Sequence, residues 1–248
     1  MVSEAAIKTA IKSGAANPPD VSERRRYESE RFFLRVENGQ VITWSTDRSS
    51  LIETRIPSPP GCEDCDTRAF DHVNEVLPSL FGGQGVPEGT IDSTSPDYES
   101  LMSRGEDPVR KYVTVPRLGL RKEVMGILKQ FPKKSDRDEF SRFFFGVENE
   151  RLHIFHPGIP QKHQQEKVPF SHITEISVPD FFPDSLSLDI VRLKRVFSAF
   201  RGDDVVISFM VDSETGKVSN RTHFQLNATH SIQKTEVQFA AIIQPQLD

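Results

Sequence analysis

The residues able to do covalent or metal chemistry are few, and their spacing suits neither. Cys62-Glu63-Asp64-Cys65 has the spacing of half a zinc site or of a redox pair. No second pair exists to complete four ligands, and the flanking acids raise rather than lower a thiol pKa. His153, His156 and His163 match no standard metal spacing. Gly82-Gly83-Gln84-Gly85 follows a helical pattern rather than a strand, which makes a poor phosphate loop. Asn220-Arg221-Thr222 and Asn227-Ala228-Thr229 match glycan acceptors. However, the opening Met1-Val2-Ser3-Glu4-Ala5 lacks the charged-then-apolar pattern of a secretory signal. No Ser/His/Asp or paired-carboxylate arrangement stands out among 36 acids. The expectation is a protein that is not an enzyme and uses no cofactor or metal.

The informative groups are cations. Residues 1–108 carry 11 Lys+Arg and 19 Asp+Glu, whereas residues 109–248 carry 20 and 17, in a chain of net charge −5. Three segments have apolar residues at helical spacing, and each places lysine or arginine on the opposite side. The first runs from a Ser3 cap to about Ala16, with Ile7, Ala10, Ile11 and Gly14 on one stripe and Lys8 and Lys12 on the wet side. The second, Leu120 to Phe131, buries Val124, Ile127, Leu128 and Phe131 and exposes Arg121, Lys122 and Lys129, with Lys133 and Lys134 beyond its end. The third, Leu188 to Phe200, buries Leu193, Val196, Phe197 and Phe200 and carries Arg192, Lys194 and Arg195, with Arg201 just past it. A phosphate backbone attracts such faces through counterion release without reading sequence.

The elements that position these helices repeat. Arg31-Phe32-Phe33-Leu34-Arg35-Val36-Glu37-Asn38 and Arg142-Phe143-Phe144-Phe145-Gly146-Val147-Glu148-Asn149 agree at six of eight positions, 111 residues apart. Each leads through a polar turn into a second apolar run, Val41–Trp44 or Leu152–Phe155, so each reads as a β-hairpin. Downstream come a strand at Leu51–Ile56 and a helix at Phe70–Phe81 in the first copy. In the second copy come strands at Lys167–Phe170 and Ile173–Val178, the Leu188–Phe200 helix, and β segments at Val205–Val211, Thr222–Leu226 and Glu236–Ile243. Strand-like Lys111–Val115, closed by Pro116, opens the second half. The intervening stretch from Gly82 to Pro108 is rich in Gly, Ser, Pro and acids and reads as a linker or partly ordered loop. The composition, 36% hydrophobic and 27% charged, suits a globular chain, and no apolar run approaches the roughly 20 residues of a membrane helix. The expectation is an intracellular protein without membrane attachment.

Repeated helix–strand units, basic helices, and an ending of Ile242, Ile243, Pro245 and Leu247 together resemble the DNA polymerase sliding clamps, the group of proliferating cell nuclear antigen and large-phage processivity factors. The resemblance is fair over 109–248, looser over 1–81 and slight over 82–108. It implies an α+β DNA-clamp fold with helices lining the inside of a ring and sheets outside. It divides the chain into an N-terminal clamp domain at 1–96, a connecting loop at 97–108 and a C-terminal clamp domain at 109–248. It implies a homotrimer ring encircling duplex DNA and tethering the replicative polymerase, with the polymerase and clamp loader docking through short peptide motifs. The DNA-facing residues would be Lys8, Lys12, Arg121, Lys122, Lys129, Arg192, Lys194, Arg195 and Arg201. The peptide groove would involve Leu101, Met102, Ile243, Pro245 and Leu247. The helix expected at Phe70–Phe81 carries Asp71, His72 and Glu75 and no lysine, a departure from a basic lining. The alternative is a non-encircling, clamp-like or pleckstrin-type module that binds peptides or lipid headgroups.

Overall fold

The computed structural model describes residues 2–16, 32–47, 50–89, 110–131, 140–160, 167–211 and 224–243. The chain folds into two compact units that are not consecutive stretches of sequence. One gathers 1–102, 199–202 and 227–242, and the other 103–198, 203–226 and 243–248.

In the first unit, α1 (Glu4–Gly14) is started by Ser3, whose Oγ accepts from the Ala6 N–H at 3.2 Å. It lies on a sheet in which β4 (Cys65–Phe70), β1 (Phe32–Glu37), β2 (Gln40–Thr46) and β3 (Ser50–Pro57) follow one another in space. β12 (Thr235–Ile243) and the 227–232 portion of β11 (Phe224–Ile232) continue it beyond β3. Ala6, Ile7, Ala10 and Ile11 are buried. Polar bonds fix the helix as well as its apolar stripe does. Thr54 Oγ1 donates to the Ala10 carbonyl at 2.8 Å, Ser45 Oγ to Gly14 at 2.5 Å, and Ser13 Oγ to Ala199 at 2.7 Å. At Gly14 the helix end comes so close to β2 that an added Cβ would sit 2.6 Å from the Thr43 carbonyl oxygen.

The second unit repeats the plan. β5 (Arg110–Pro116) leads into α3 (Arg117–Gln130), which packs against β5, β8 (Lys167–Ser177) and β10 (Asp204–Met210). Beside β8 come β7 (Arg151–Pro160), β6 (Arg142–Glu148) and β9 (Leu186–Asp189), after which α4 (Ile190–Ala199) begins. Both four-stranded modules are therefore three-strand meanders whose fourth strand pairs back onto the first. A helix precedes each module and another follows it.

The repeat read from the sequence reaches individual side chains. Phe33 faces Trp44 across β1–β2 with rings stacked at 5.7 Å, and Phe144 faces Phe155 across β6–β7 at 5.3 Å. Thr54 on the third strand binds α1, and His172, at the corresponding place on β8, puts Nε2 2.7 Å from Glu123 Oε2 on α3. Both hairpins turn through consecutive left-handed residues, Asn38-Gly39 (φ 52° and 70°) and Asn149-Glu150 (φ 53° and 59°), the tight geometry that matches the strands' twist.

Several expected elements are corrected. Phe70–Phe81 is not one helix. Phe70 ends β4, where its ring stacks on Phe32 at 5.6 Å, and a single turn at Val73–Glu75 precedes the five-residue α2 (Leu77–Phe81). Pro78 has no N–H to give and fits only in a first helical turn, so the segment cannot run continuously. Leu188 pairs with Phe143 in β9, so α4 starts two residues later than its periodicity suggests. α3 starts three residues earlier than expected, directly after Pro116. The strand expected at Thr222–Leu226 is described only from Phe224, and it continues to Ile232. The two segments expected at 167–178 form one strand.

Two glycines make opposite predictions. Gly14→Ala gains helix propensity of about 0.5–1 kcal/mol, but its methyl meets β2 backbone, so a net loss of about 1–3 kcal/mol is expected in the thermal midpoint. Gly126 is exposed within α3 with nothing within 4 Å of its added Cβ, so Gly126→Ala should raise the midpoint by about 0.5–1 kcal/mol equivalent. A third concerns His156, which is buried with its ring 5.0 Å from that of Phe143 and Nδ1 accepting from the Gly158 N–H. Burial first, and then the charge of Lys167, push its pKa below 6.5. The unfolded chain thus binds a proton in a window where the folded chain does not. Stability should be flat above about pH 6.5 and fall as pH drops below it. Urea midpoints across that window should fall less in His156→Phe than in wild type.

Candidate nucleic-acid interface

Because α1 spends Ala6, Ile7, Ala10 and Ile11 on the sheet, its water-facing side is Glu4, Lys8 and Lys12, all exposed one turn apart. Lys12 also sits in the last turn, where the helix dipole favours a cation. In the second unit α3 buries Leu120, Val124, Ile127 and Leu128. Its outer side is Leu118, Arg121, Lys122, Gly126 and Lys129, all exposed. No acid lies in its first turn, so the charges on this face, Arg121, Lys122 and Lys129, are all positive. Lys122 and Lys129 are two turns apart on the same line, roughly 10 Å along the axis.

α4 is different. Leu193, Val196 and Phe197 are buried as expected, but Arg192, Lys194 and Arg195 are half-buried rather than free in water. Arg192 reaches back to Asp189, Nη1 to Oδ2 at 3.5 Å, with the two side chains 19% and 11% exposed. Asp189 is the N-cap of the helix, and its Oδ1 accepts from the N–H groups of Val191 and Arg192 at 2.8 and 2.9 Å. Ser141 Oγ donates to the other oxygen at 3.0 Å. Arg195 also interacts with a partner within the protein. Arg201 is exposed, and its Nη1 donates to the carbonyls of Ala199 and Phe200, closing the end of the helix. The start of α3 meets the last turn of α4, where Arg117 Nη1 donates to the Phe197 carbonyl at 3.3 Å. The second unit thereby ties the ends of its two basic helices together. The sequence gives no sign of Asp189's role, because it sits at a strand–helix junction that periodicity alone places inside the helix.

Of the groove residues, Leu101, Met102, Pro245 and Leu247 lie outside the described residues, as do Lys133, Lys134 and His163. Ile243 ends β12 and is fully buried. The reactive residues have structural surroundings. Cys62 and Cys65 are free and half-buried, and burial, then the neighbouring Cys65, push the Cys62 thiol up, away from nucleophilic character. His153 stacks on Phe155 at 4.9 Å and lies 2.8 Å from Ser171 Oγ and 3.2 Å from Glu148. The Gly82–Gly85 run follows the end of α2, where carbonyls and not N–H groups are exposed. Among the described residues no three His, Cys, Asp or Glu side chains cluster to hold a metal, and no helix is long and apolar enough to cross a membrane.

No protein family matches the sequence, and no curated protein resembles it closely enough to count as a relative. Solved structures do match. A DNA polymerase sliding clamp from Pseudomonas aeruginosa superposes with a TM-score of 0.67 at 15% identity, over 100% of this chain and 65% of that one. The beta sliding clamp of C. crescentus gives 0.67 at 14%, over 100% and 64%. The beta subunit of DNA polymerase III from Thermotoga maritima gives 0.62 at 12%, over 100% and 65%. The chain thus spans about 65% of the length of these structures. At identities this low the likeness shows architecture alone, and that architecture is the α+β fold of the DNA sliding clamps.

Proposed function

We propose that this chain is a DNA sliding clamp: copies of it close into a ring around duplex DNA and tether a replicative polymerase to its template. The observation that carries the reading is the combination of a clamp fold over the full chain with exposed cations on the sides of α1 and α3 that do not touch the sheets. Such faces would grip phosphates without regard to base sequence. No bond is made or broken in this activity. The ring works by linkage, and the tether raises the effective concentration of polymerase at the primer end.

Ring closure has a candidate surface. In the first module the third strand, β3, is continued by β12, whereas β8, the third strand of the second module, is outermost in its sheet among the described residues. An edge eleven residues long with no further strand among the described residues invites another strand, and Ile173 within it is 42% exposed. A head-to-tail contact of this kind generates a ring when its rotation closes. The resemblance to proliferating cell nuclear antigen and phage clamps, whose rings hold three two-domain chains, and the two compact units found here favour three copies per ring. On this reading 1–96 and 109–248 supply the two clamp domains, with 199–202 and 227–242 returning to the first, and 97–108 joins them. Partner peptides dock near Leu101, Met102, Pro245 and Leu247, whereas Ile243, being fully buried, is not a contact. The protein works inside the cell, wherever its DNA is copied.

Light scattering at micromolar concentration should give about three times the 28.1 kDa chain mass, and Ile173→Asp should lower it towards one chain without lowering the thermal midpoint. The protein should be retained on closed circular DNA by a loader and released on linearisation. A strictly monomeric wild type that binds lipid headgroups or peptides and is never retained on circles would replace this reading with the interaction module. Reversing Lys122 and Lys129 to Glu should leave folding and mass unchanged while weakening duplex binding, and wild-type binding should fade as salt rises. Arg192 and Arg195 are poorer choices for reversal, because both already have partners within the protein.

A further inference from the structure

We propose that Asp189 sets how strongly α4 grips a polyanion, by holding Arg192 in an ion pair inside the protein; the proposal rests on the DNA reading above. The Asp189 carboxylate is buried and satisfied by four donors: two helix N–H groups, the Ser141 hydroxyl and the Arg192 guanidinium. Three of these build the helix start. The fourth does not, since a cap is complete without a partner three residues on. Its effect falls on Arg192, whose positive charge is offset by a carboxylate only 11% exposed and hence weakly screened by water. A phosphate approaching Arg192 competes with Asp189 for the same guanidinium, and fewer counterions are released when it binds. Lys122 and Lys129 on α3 are exposed, and no such carboxylate holds them in the structure described here. The unit therefore carries two grades of cationic face: one available to the polyanion, the other held back by its own cap. For a protein that stays on DNA by linkage, a weakened face lets the duplex move past without sticking.

Asp189→Asn separates the two roles, because asparagine is as good a cap and keeps the oxygen that receives the Val191 and Arg192 N–H groups, while losing the charge. Binding of a short labelled duplex, followed by anisotropy across a salt series, gives the readout. The variant should bind more tightly than wild type at low salt. Its slope of log affinity against log salt should steepen by about 0.9, which is roughly a 3.5-fold greater loss between about 50 and 200 mM. That gain should vanish in the Asp189→Asn, Arg192→Gln double variant. In the wild-type background Arg192→Gln should cost less affinity than Lys122→Gln, a comparison that leaves the cap untouched and stands even if Asp189→Asn folds poorly. The proposal is overturned if Asp189→Asn binds with wild-type affinity and slope while Lys122→Glu weakens binding. It is also overturned if Arg192→Gln costs as much as Lys122→Gln, or if the gain persists without Arg192. If reversing Lys122 and Lys129 leaves duplex binding unmoved as well, the DNA reading itself fails.

Discussion

An amphipathic helix laid on a sheet cannot choose which side meets water, and in this chain that constraint aims the charge. α1 and α3 each commit one stripe of aliphatic residues to the strands beneath them, and Lys8, Lys12, Arg121, Lys122 and Lys129 are left on the water side. Apolar burial supplies the drive, but it does not set the rotation of a helix to within a residue. The polar bonds between helix and sheet do that: Thr54 to the Ala10 carbonyl, Ser45 to Gly14, and His172 to Glu123. Each is made on the sheet side, so the lysines are placed by contacts that they do not themselves make.

Much of this was legible in the sequence, and the parts that were not have physical causes. The hairpins could be read because their aromatic and β-branched runs carry strand character without help from neighbours, and their turns are locally encoded. The α1 and α3 faces followed from helical period, since exposure there is decided one turn at a time. β4 could not be read. Cys65-Asp66-Thr67-Arg68 is polar and short, and it is a strand only because β1 offers Val36 and Leu34 to pair with. β9 hid for a related reason: Leu188 has the spacing of the helix that follows, and only pairing with Phe143 assigns it to the sheet. The same misplaced boundary concealed Asp189, so α4 looked like a free basic face when its first arginine is already engaged.

The two modules share a strand order and an aromatic pair, yet they differ in what surrounds them. Trp44 is wholly buried, whereas its counterpart Phe155 is half-buried, and Glu53 and Arg55, paired at 2.7 Å, stand where the second module has exposed Ser171 and Ile173. A duplicated framework has thus been filled with different side chains according to whether its outer strand is continued within the chain or left at an edge.

The division of the chain into interleaved units bears on how it must be made. Residues 227–242 belong to the same unit as α1 and β1–β4, and β12 lies beside β3 although more than half of the chain separates them. During synthesis the amino-terminal half leaves the ribosome with one flank of its sheet uncovered. The hairpin that shields it emerges many seconds later, after the other unit has been translated. Strand pairings of such long range also close slowly. The nascent chain therefore passes through an interval with an open β flank, when chaperones or proteases have their best access to it.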